Sequence, residues 1–379
     1  TIVALLGATV VARFVSCTSL EQDGLSPEIR LVGPLKRIAP GKILGGTFQP
    51  TVVATSDGAV HVFAQGRINS SEDWADKTIV YLKSADLGSS WSELRTLTPP
   101  GSFWGITGYT TTPPRGGERI NLLFTYSKVT LFEKYSTDEL WDLFAIRSKE
   151  YRDDEVAILY RMYSDDGGET WSRTPAVEDF LGAVHSDGTH VPFFNPIGQV
   201  HRIEDGPKAG RLIIAGPVKF GRDGPIANPS DIYDYKMQTS ALIYSDDDGE
   251  SWHLAGLTPE GGNEASAVAI DDGRRIIMIR RRNSRETTPA RIVNYSDDFG
   301  LTWTPNTYVQ DMPSPLCLGV LFKDGEKLIF TQPALAQPLP RMPGWIGVST
   351  DEGRTWTGKI IQKGPFSYSA VSYTHLTLP

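Results

Sequence analysis

Five aspartates stand at matching places along the chain. Asp86, Asp166, Asp247, Asp298 and Asp351 each follow a serine by two residues and precede a glycine by two. Regular spacing and negative charge would suit catalytic carboxylates or calcium ligands, but the neighbours of these residues argue for another role. Each aspartate belongs to a pattern Ser-x-Asp-x-Gly-x-(Ser/Thr)-Trp, running Ser84–Trp91, Ser164–Trp171, Ser245–Trp252, Ser296–Trp303 and Ser349–Trp356. In such a pattern Ser and Asp hydrogen-bond the backbone of a turn, and Gly supplies a left-handed conformation. The closing Trp opens the next strand and can pack between sheets. The boxes therefore predict turns rather than a reactive centre. His185 and His190 are close in sequence on a polar loop, where solvation is the better reading, and no metal is expected. Cys17 and Cys317 define no disulfide framework.

The elements that carry these turns follow from the residues before them. TIVYLKS, VAILYRMYS, SALIYS, RIVNYS and WIGVS are short alternating runs and read as strands. The 37 glycines and 26 prolines fit many short strands joined by turns. The leading serines are 80, 81, 51 and 53 residues apart. The short intervals match one four-stranded blade each, since propeller repeats run at about 40–50 residues. The long ones require insertions, at residues 127–155, where Ser136 to Glu139 resemble a helix start, and at 179–235. KIIQK completes a fifth blade and FSYSAV begins another. The expected fold is all-β: a six-bladed β-propeller over residues 30–370, with the sixth blade truncated.

The bulk properties narrow the partners. A net charge of −8 without any Lys/Arg block argues against nucleic acid. The apolar run at residues 2–12 is too short to span a bilayer. It resembles the tail of a secretory signal over residues 1–20, with a first strand as the alternative, which Arg13 favours. Phe14 to Cys17 resemble a lipoprotein cleavage site, so a secreted or periplasmic protein is expected, with a lipid anchor on Cys17 as one form of it. VSYTHLTLP at 371–379 resembles adapter-derived read-through, which would end the natural sequence near Ala370. A monomer is expected.

Five boxes at this spacing resemble the bacterial-type sialidase (neuraminidase) family, and the likeness extends over residues 45–370. Arg67 precedes Asp73 by six residues, as a substrate-binding Arg precedes the acid/base Asp in the family. Gly262-Asn263-Glu264 resembles the family's Asn-Glu pair, whose Glu polarises the nucleophile. GRRIIMIR puts Arg280 where the family has its second carboxylate-binding Arg, with Arg281 as an alternative shifted by one residue. Arg341, eight residues before the fifth box, resembles the third Arg. GPFSYSAV resembles the segment around the nucleophilic tyrosine, here Tyr368. Two departures stand out. The family's first Arg lies just before a proline, and here Phe48 or Gln49 precedes Pro50. An acidic residue of the second blade is also missing from WGITGYTTT.

What the resemblance implies is a retaining exo-glycosidase that needs no cofactor and acts on sialylated or related acidic glycans. Sialic acid carries a carboxylate on its anomeric carbon, for which a planar guanidinium is a good partner and a carboxylate nucleophile a poor one. Sialidases are the tyrosine-nucleophile exception among glycosidases. A neutral phenol with a pKa of about 10 needs a base beside it. Glu264 would be that base, and Asp73 the group that protonates the leaving oxygen and then activates water. Two alternatives remain: a propeller exo-glycosidase for another acidic sugar, and a glycan-binding propeller without turnover. Trp104, Trp141 and Phe144 could wall a sugar site, although packing is the better reading for each.

Overall fold

In the computed structural model of the protein, the described residues are 2–6, 11–17, 29–37, 44–68, 76–86, 88–127, 158–175, 177–178, 190–221, 238–282, 288–335, 342–364, 366 and 368–373. Asp73, Arg341, His185 and the helix expected near residue 136 lie outside them.

The alternating runs form strands, and the strands form six sheets. Five follow one another along the chain as antiparallel four-strand meanders. The first comprises Leu44–Ala54, Val60–Ile68, Lys77–Ser84 and Arg95–Thr96, and the second Ser102–Thr111, Arg119–Ser127, Ile158–Ser164 and Ser172–Pro175. The third runs through His190–Phe194, Leu212–Gly221, Gln238–Ser245 and Ser251–Leu257, with His201–Arg202 and Val177–Glu178 added to it. The fourth has Gly262–Ile270, Arg275–Arg282, Arg291–Ser296 and Thr307–Val309, and the fifth Val320–Asp324, Lys327–Pro333, Gly344–Ser349 and Thr357–Gln362. Middle strands such as Val60–Ile68 and Gly344–Ser349 are buried along almost their whole length. They are covered by a neighbouring sheet on each face, so polar side chains such as His61 and Gln65 are buried along with the apolar ones. The result is an all-β propeller.

Every box is the hairpin between the third and fourth strands of its sheet, and all five share the bonds of the serine and the aspartate, while the indole bond to the glycine carbonyl forms at Trp91, Trp171 and Trp356. In the second, Ser164 Oγ donates to Asp166 Oδ1 (2.7 Å) and accepts from Gly168 N (2.8 Å). Asp166 Oδ1 also accepts from Thr170 N (2.9 Å), and Trp171 Nε1 donates to Gly168 O (3.1 Å). Hydrogen bonds from Thr170 hold the Asp166 carboxyl down at about 2, and bonds from Ser90 do the same for Asp86. The aspartates are occupied with their turns, as expected. Among the described residues no cluster of His, Cys, Asp and Glu is suited to a metal ion.

The sixth sheet corrects one expectation. Instead of a blade cut short, it is four strands in the order Ser369–Tyr373, Ile2–Leu6, Val11–Cys17, Ile29–Arg37. Its innermost strand comes from the end of the chain and the other three from its beginning, with Ile2 opposite Tyr373 and Leu6 opposite Ser369. The apolar run thus supplies strands, and the backbone edge that truncation would have left bare is paired.

The first strands of the sheets adjoin one another around the axis. Gly105 N donates to Gln49 Oε1 (3.1 Å) and Gly108 N to Thr51 Oγ1 (2.9 Å), linking the first two sheets. Leu321 N donates to Ser266 Oγ (3.1 Å), linking the fourth and fifth. The strands advance in the same direction, so their ends gather at one mouth, where Ala54, Thr110, Ala269 and Asp324 line a cavity of about 530 Å³. Their starts gather at the other. Four of the first strands carry a register shift, between Phe48 and Thr51, Trp104 and Ile106, His190 and Phe193, and Gly262 and Ala265. Three of these lie at the strand's start, where bulges bend strands and re-aim side chains.

Candidate active site

At the mouth formed by the strand starts, residues 104 positions apart in the sequence meet. Tyr368 Oη donates a hydrogen bond of 2.8 Å to Glu264 Oε1. Glu264 is buried, with 7% of its side chain exposed, while Tyr368 is half-buried against the cluster that contains Ile197, Leu318 and Phe366. Two anchors fix the tyrosine. Phe366 is fully buried and fills the space beside Gly344, where any Cβ would strike its ring. Ser369 Oγ and Thr331 Oγ1 lie 2.8 Å apart in a buried hydrogen bond. Tyr368 sits between them, just before the innermost strand of the sixth sheet begins.

The other carboxylate oxygen of Glu264 faces a cation. Arg281 Nε lies 3.0 Å from Glu264 Oε2, as an ion pair that lacks the alignment of a hydrogen bond. Arg281 Nη2 donates to Asn263 Oδ1 at 3.0 Å. With 21% of its side chain exposed, Arg281 is accessible from the mouth.

Arg280, the residue expected in this place, is elsewhere. It is fully buried, and its guanidinium donates to Asn294 Oδ1 (2.8 Å), Thr258 Oγ1 (2.8 Å), Pro259 O (2.9 Å) and Asn306 Oδ1 (2.5 Å). Burial pulls its pKa down to about 9, which still leaves it charged at neutral pH. Successive residues of a strand point to opposite faces, so only one of the two arginines can face the axis. The alternative shifted by one residue is the one that does. Arg291 is a second fully buried cation, donating to Gln332 Oε1 (2.6 Å) and Cys317 O (2.8 Å), and its pKa is pulled to about 10 by burial.

Arg67 stands at the same mouth as Glu264, since it pairs with Gly46 near the start of the first sheet's first strand. It is buried, and its Nε donates to Gln65 Oε1 (3.2 Å), while Gln65 Nε2 donates to Phe103 O (2.6 Å). Gln49, one of the two residues in place of the family's first Arg, is buried at a φ of 50° with its side-chain oxygen on Gly105 N. The Trp104 ring stands over Lys77 Nζ, 4.4 Å from the ring centre, which gives it a packing role at the rim. Asn263 and Arg281 are the functional candidates that sequence reasoning undervalued. The structure assembles a phenol, a carboxylate and a guanidinium in one chain of contacts, an arrangement suited to removing the phenol's proton beside a bound anion.

Comparison with known proteins gives the same direction. A profile of BNR repeat-like domains matches residues 125–376. A sialidase of Micromonospora viridifaciens is 26% identical over 337 residues, covering 85% of this chain and 47% of that protein. A sialidase of Paraclostridium sordellii is 25% identical over 258 residues, or 67% of this chain and 56% of that one. The chain thus spans about half the length of these relatives. Among solved structures, the Hadza microbial sialidase Hz136 superposes with a TM-score of 0.63 at 19% identity, covering 94% of this chain and 67% of the other.

Proposed function

This chain belongs to the family of BNR repeat-like domains, and on that premise we propose that it is a six-bladed, retaining exo-glycosidase releasing terminal sialic acid from glycoconjugates. Tyr368 is the nucleophile in this reading. It passes its proton to Glu264 Oε1 and attacks the anomeric carbon, forming a glycosyl–tyrosine intermediate that water then hydrolyses. Asp73 protonates the leaving oxygen in the first step and draws the proton from water in the second. Arg281 takes the place first given to Arg280 in gripping the sugar carboxylate, with Arg341 as its partner, and Arg67 is a further substrate-binding residue.

The observation that carries the reading is the 2.8 Å hydrogen bond from Tyr368 Oη to Glu264 Oε1, with Arg281 on the opposite carboxylate oxygen. A buried carboxylate accepting from a half-buried phenol at an open mouth has no evident structural purpose, and it is what activation of a phenol requires. The test is turnover of a fluorogenic sialoside by the wild-type chain and by Tyr368→Phe. Removing the phenolic oxygen is expected to cut kcat by about a thousandfold or more while leaving the fold intact. Undiminished turnover in the variant would exclude Tyr368 as the nucleophile.

A second reading, an exo-glycosidase for a different acidic sugar, draws support from the first sheet. Phe48 cannot pair with an anion, and the side-chain oxygen of Gln49 is already bonded to Gly105 N. A clamp lacking one charge-assisted contact of about 1.5–3 kcal/mol holds a sialoside less firmly. Screening uronic-acid and other keto-acid glycosides beside sialosides separates the readings. Exclusive turnover of the former would favour the second.

A further inference from the structure

The register of the fourth sheet contains a device that the reaction scheme leaves unused. Ala265 lies opposite Arg280 and Gly262 opposite Arg282. Between these pairs the first strand holds two residues, Asn263 and Glu264, where the second holds only Arg281. This is a β-bulge, and bulges next to active sites re-aim side chains that regular alternation would send to opposite faces. Here both side chains of the widened strand reach the same guanidinium: Asn263 Oδ1 accepts from Nη2 at 3.0 Å, and Glu264 Oε2 lies 3.0 Å from Nε.

The bulge is pinned from below and from the side. Ser240, fully buried in the third sheet, donates to the Asn263 carbonyl at 2.5 Å. A Cβ at Gly262 would strike Arg280 Nη1, so the residue that opens the bulge has no room for a side chain above the buried arginine. The consequence falls on the orientation of Arg281. A guanidinium presents two forked edges to its surroundings, one made by Nε with Nη2 and another by the two Nη groups. Glu264 and Asn263 take the first edge, and among the described residues nothing bonds Nη1.

We propose that Asn263 is a positioning residue for substrate selection: by holding Nη2, it turns the second edge of Arg281 toward the axis, where it receives the carboxylate of an acidic sugar. Without Asn263, the guanidinium is held by Glu264 alone and can rotate to offer that carboxylate both of its bonds, taking the cation away from the ligand. The proposal rests on the glycosidase reading given above and assigns it a determinant of affinity for the anionic group.

The experiment is a double-mutant cycle in the intact chain, with kcat and KM measured on a fluorogenic sialoside for wild type, Asn263→Ala, Arg281→Lys and the pair. Asn263→Ala is expected to raise KM about tenfold, with kcat changed less than about threefold, the size expected for one charge-assisted contact made before the transition state. In the Arg281→Lys background, an ammonium has no forked edge to orient, so Asn263→Ala should add almost nothing to KM. A merely structural asparagine would give additive effects, because unfolding or loosening of the strand does not depend on what residue 281 is. Additive KM changes, or a loss confined to kcat, would overturn the proposal. Circular dichroism on each variant identifies a misfolded protein, and Asn263→Ser, which keeps an acceptor on a shorter side chain, then repeats the cycle. A wild-type chain that neither turns over nor binds any acidic sugar would instead sink the glycosidase reading, and this proposal with it.

Discussion

Replacing Arg281 by alanine removes the guanidinium 3.0 Å from Glu264 Oε2 and leaves the buried hydrogen bonds of Arg280 untouched. The expected product is a folded protein whose KM for an acidic glycoside rises about tenfold to a hundredfold, measured by steady-state kinetics. Arg280→Met should do the reverse. Thr258, Asn294, Asn306 and the Pro259 carbonyl would lose a common donor, and Asn294 Oδ1 would be left buried without a partner, at about 1–3 kcal/mol, beside the cavity vacated by the guanidinium. A large drop in Tm is expected, with weak or absent folding. The contrast shows where sequence reasoning stops at this scale. The resemblance of local segments to the sialidase family pointed to Glu264, Tyr368 and the adjacent arginines, because residue types and intervals survive in a linear string. Which arginine faces the axis depends on strand alternation and on the bulge at Asn263–Glu264, and neither can be counted from the chain. The commitment of Gln49 to Gly105 N was equally invisible, since the partner belongs to another sheet.

The boxes show how an element is built from one repeated set of bonds. Ser164 Oγ is fully inside the turn, so Ser164→Ala would leave the Gly168 N–H buried and unpaired. A loss of about 1–3 kcal/mol is expected by denaturant titration, with kcat unchanged because the hairpin is far from the mouth that holds Tyr368. A second repeat lay unnoticed beside the first. In the second, third and fourth sheets the residue after the box serine is an aspartate paired with an arginine at or just before the start of the second strand, Arg119 with Asp165, Arg211 with Asp246 and Arg275 with Asp297. Each guanidinium also stands over the tyrosine that precedes the serine, at 4.1 Å from Tyr163, 3.8 Å from Tyr244 and 5.9 Å from Tyr295. The string Tyr-Ser-Asp-Asp was readable three times over, but its arginine partner lies at a different distance in each copy, so no fixed spacing revealed it. Glutamates of the boxes then tie sheet to sheet, Glu169 to Lys83 and Arg95, and Glu250 to Arg119 and Arg161.

For the whole molecule, acid sensitivity should precede protonation of the turn aspartates. His61 and His201 are pushed down to about 4 by burial, from an ordinary 6.5. The unfolded chain therefore binds more protons than the folded one between those values. Stability contributed by the neutral rings is complete above pH 6.5 and is lost as pH falls toward 4, at up to about 1.4 kcal/mol per pH unit for each histidine. The aspartates Asp86 and Asp166, held at about 2, add a loss only below their ordinary 3.8. Tm measured from pH 7 to 4.5 should fall, and His201→Asn should flatten that decline. The five successive sheets were legible because each carries its box. Of the sixth only the innermost strand, within FSYSAV, was legible as part of a further blade, because the sheet bears no box and its pairing joins opposite ends of the chain, which no local pattern announces. That closure orders events in time. Residues 2–37 emerge from the ribosome long before their innermost partner, Ser369–Tyr373, which is made roughly 330 residues later. At a synthesis rate of about 5–20 residues per second, the leading strands wait on the order of 20 to 70 s with an open backbone edge. During that interval the nascent protein depends on chaperones, or on speed, to keep those strands from pairing with a neighbour's.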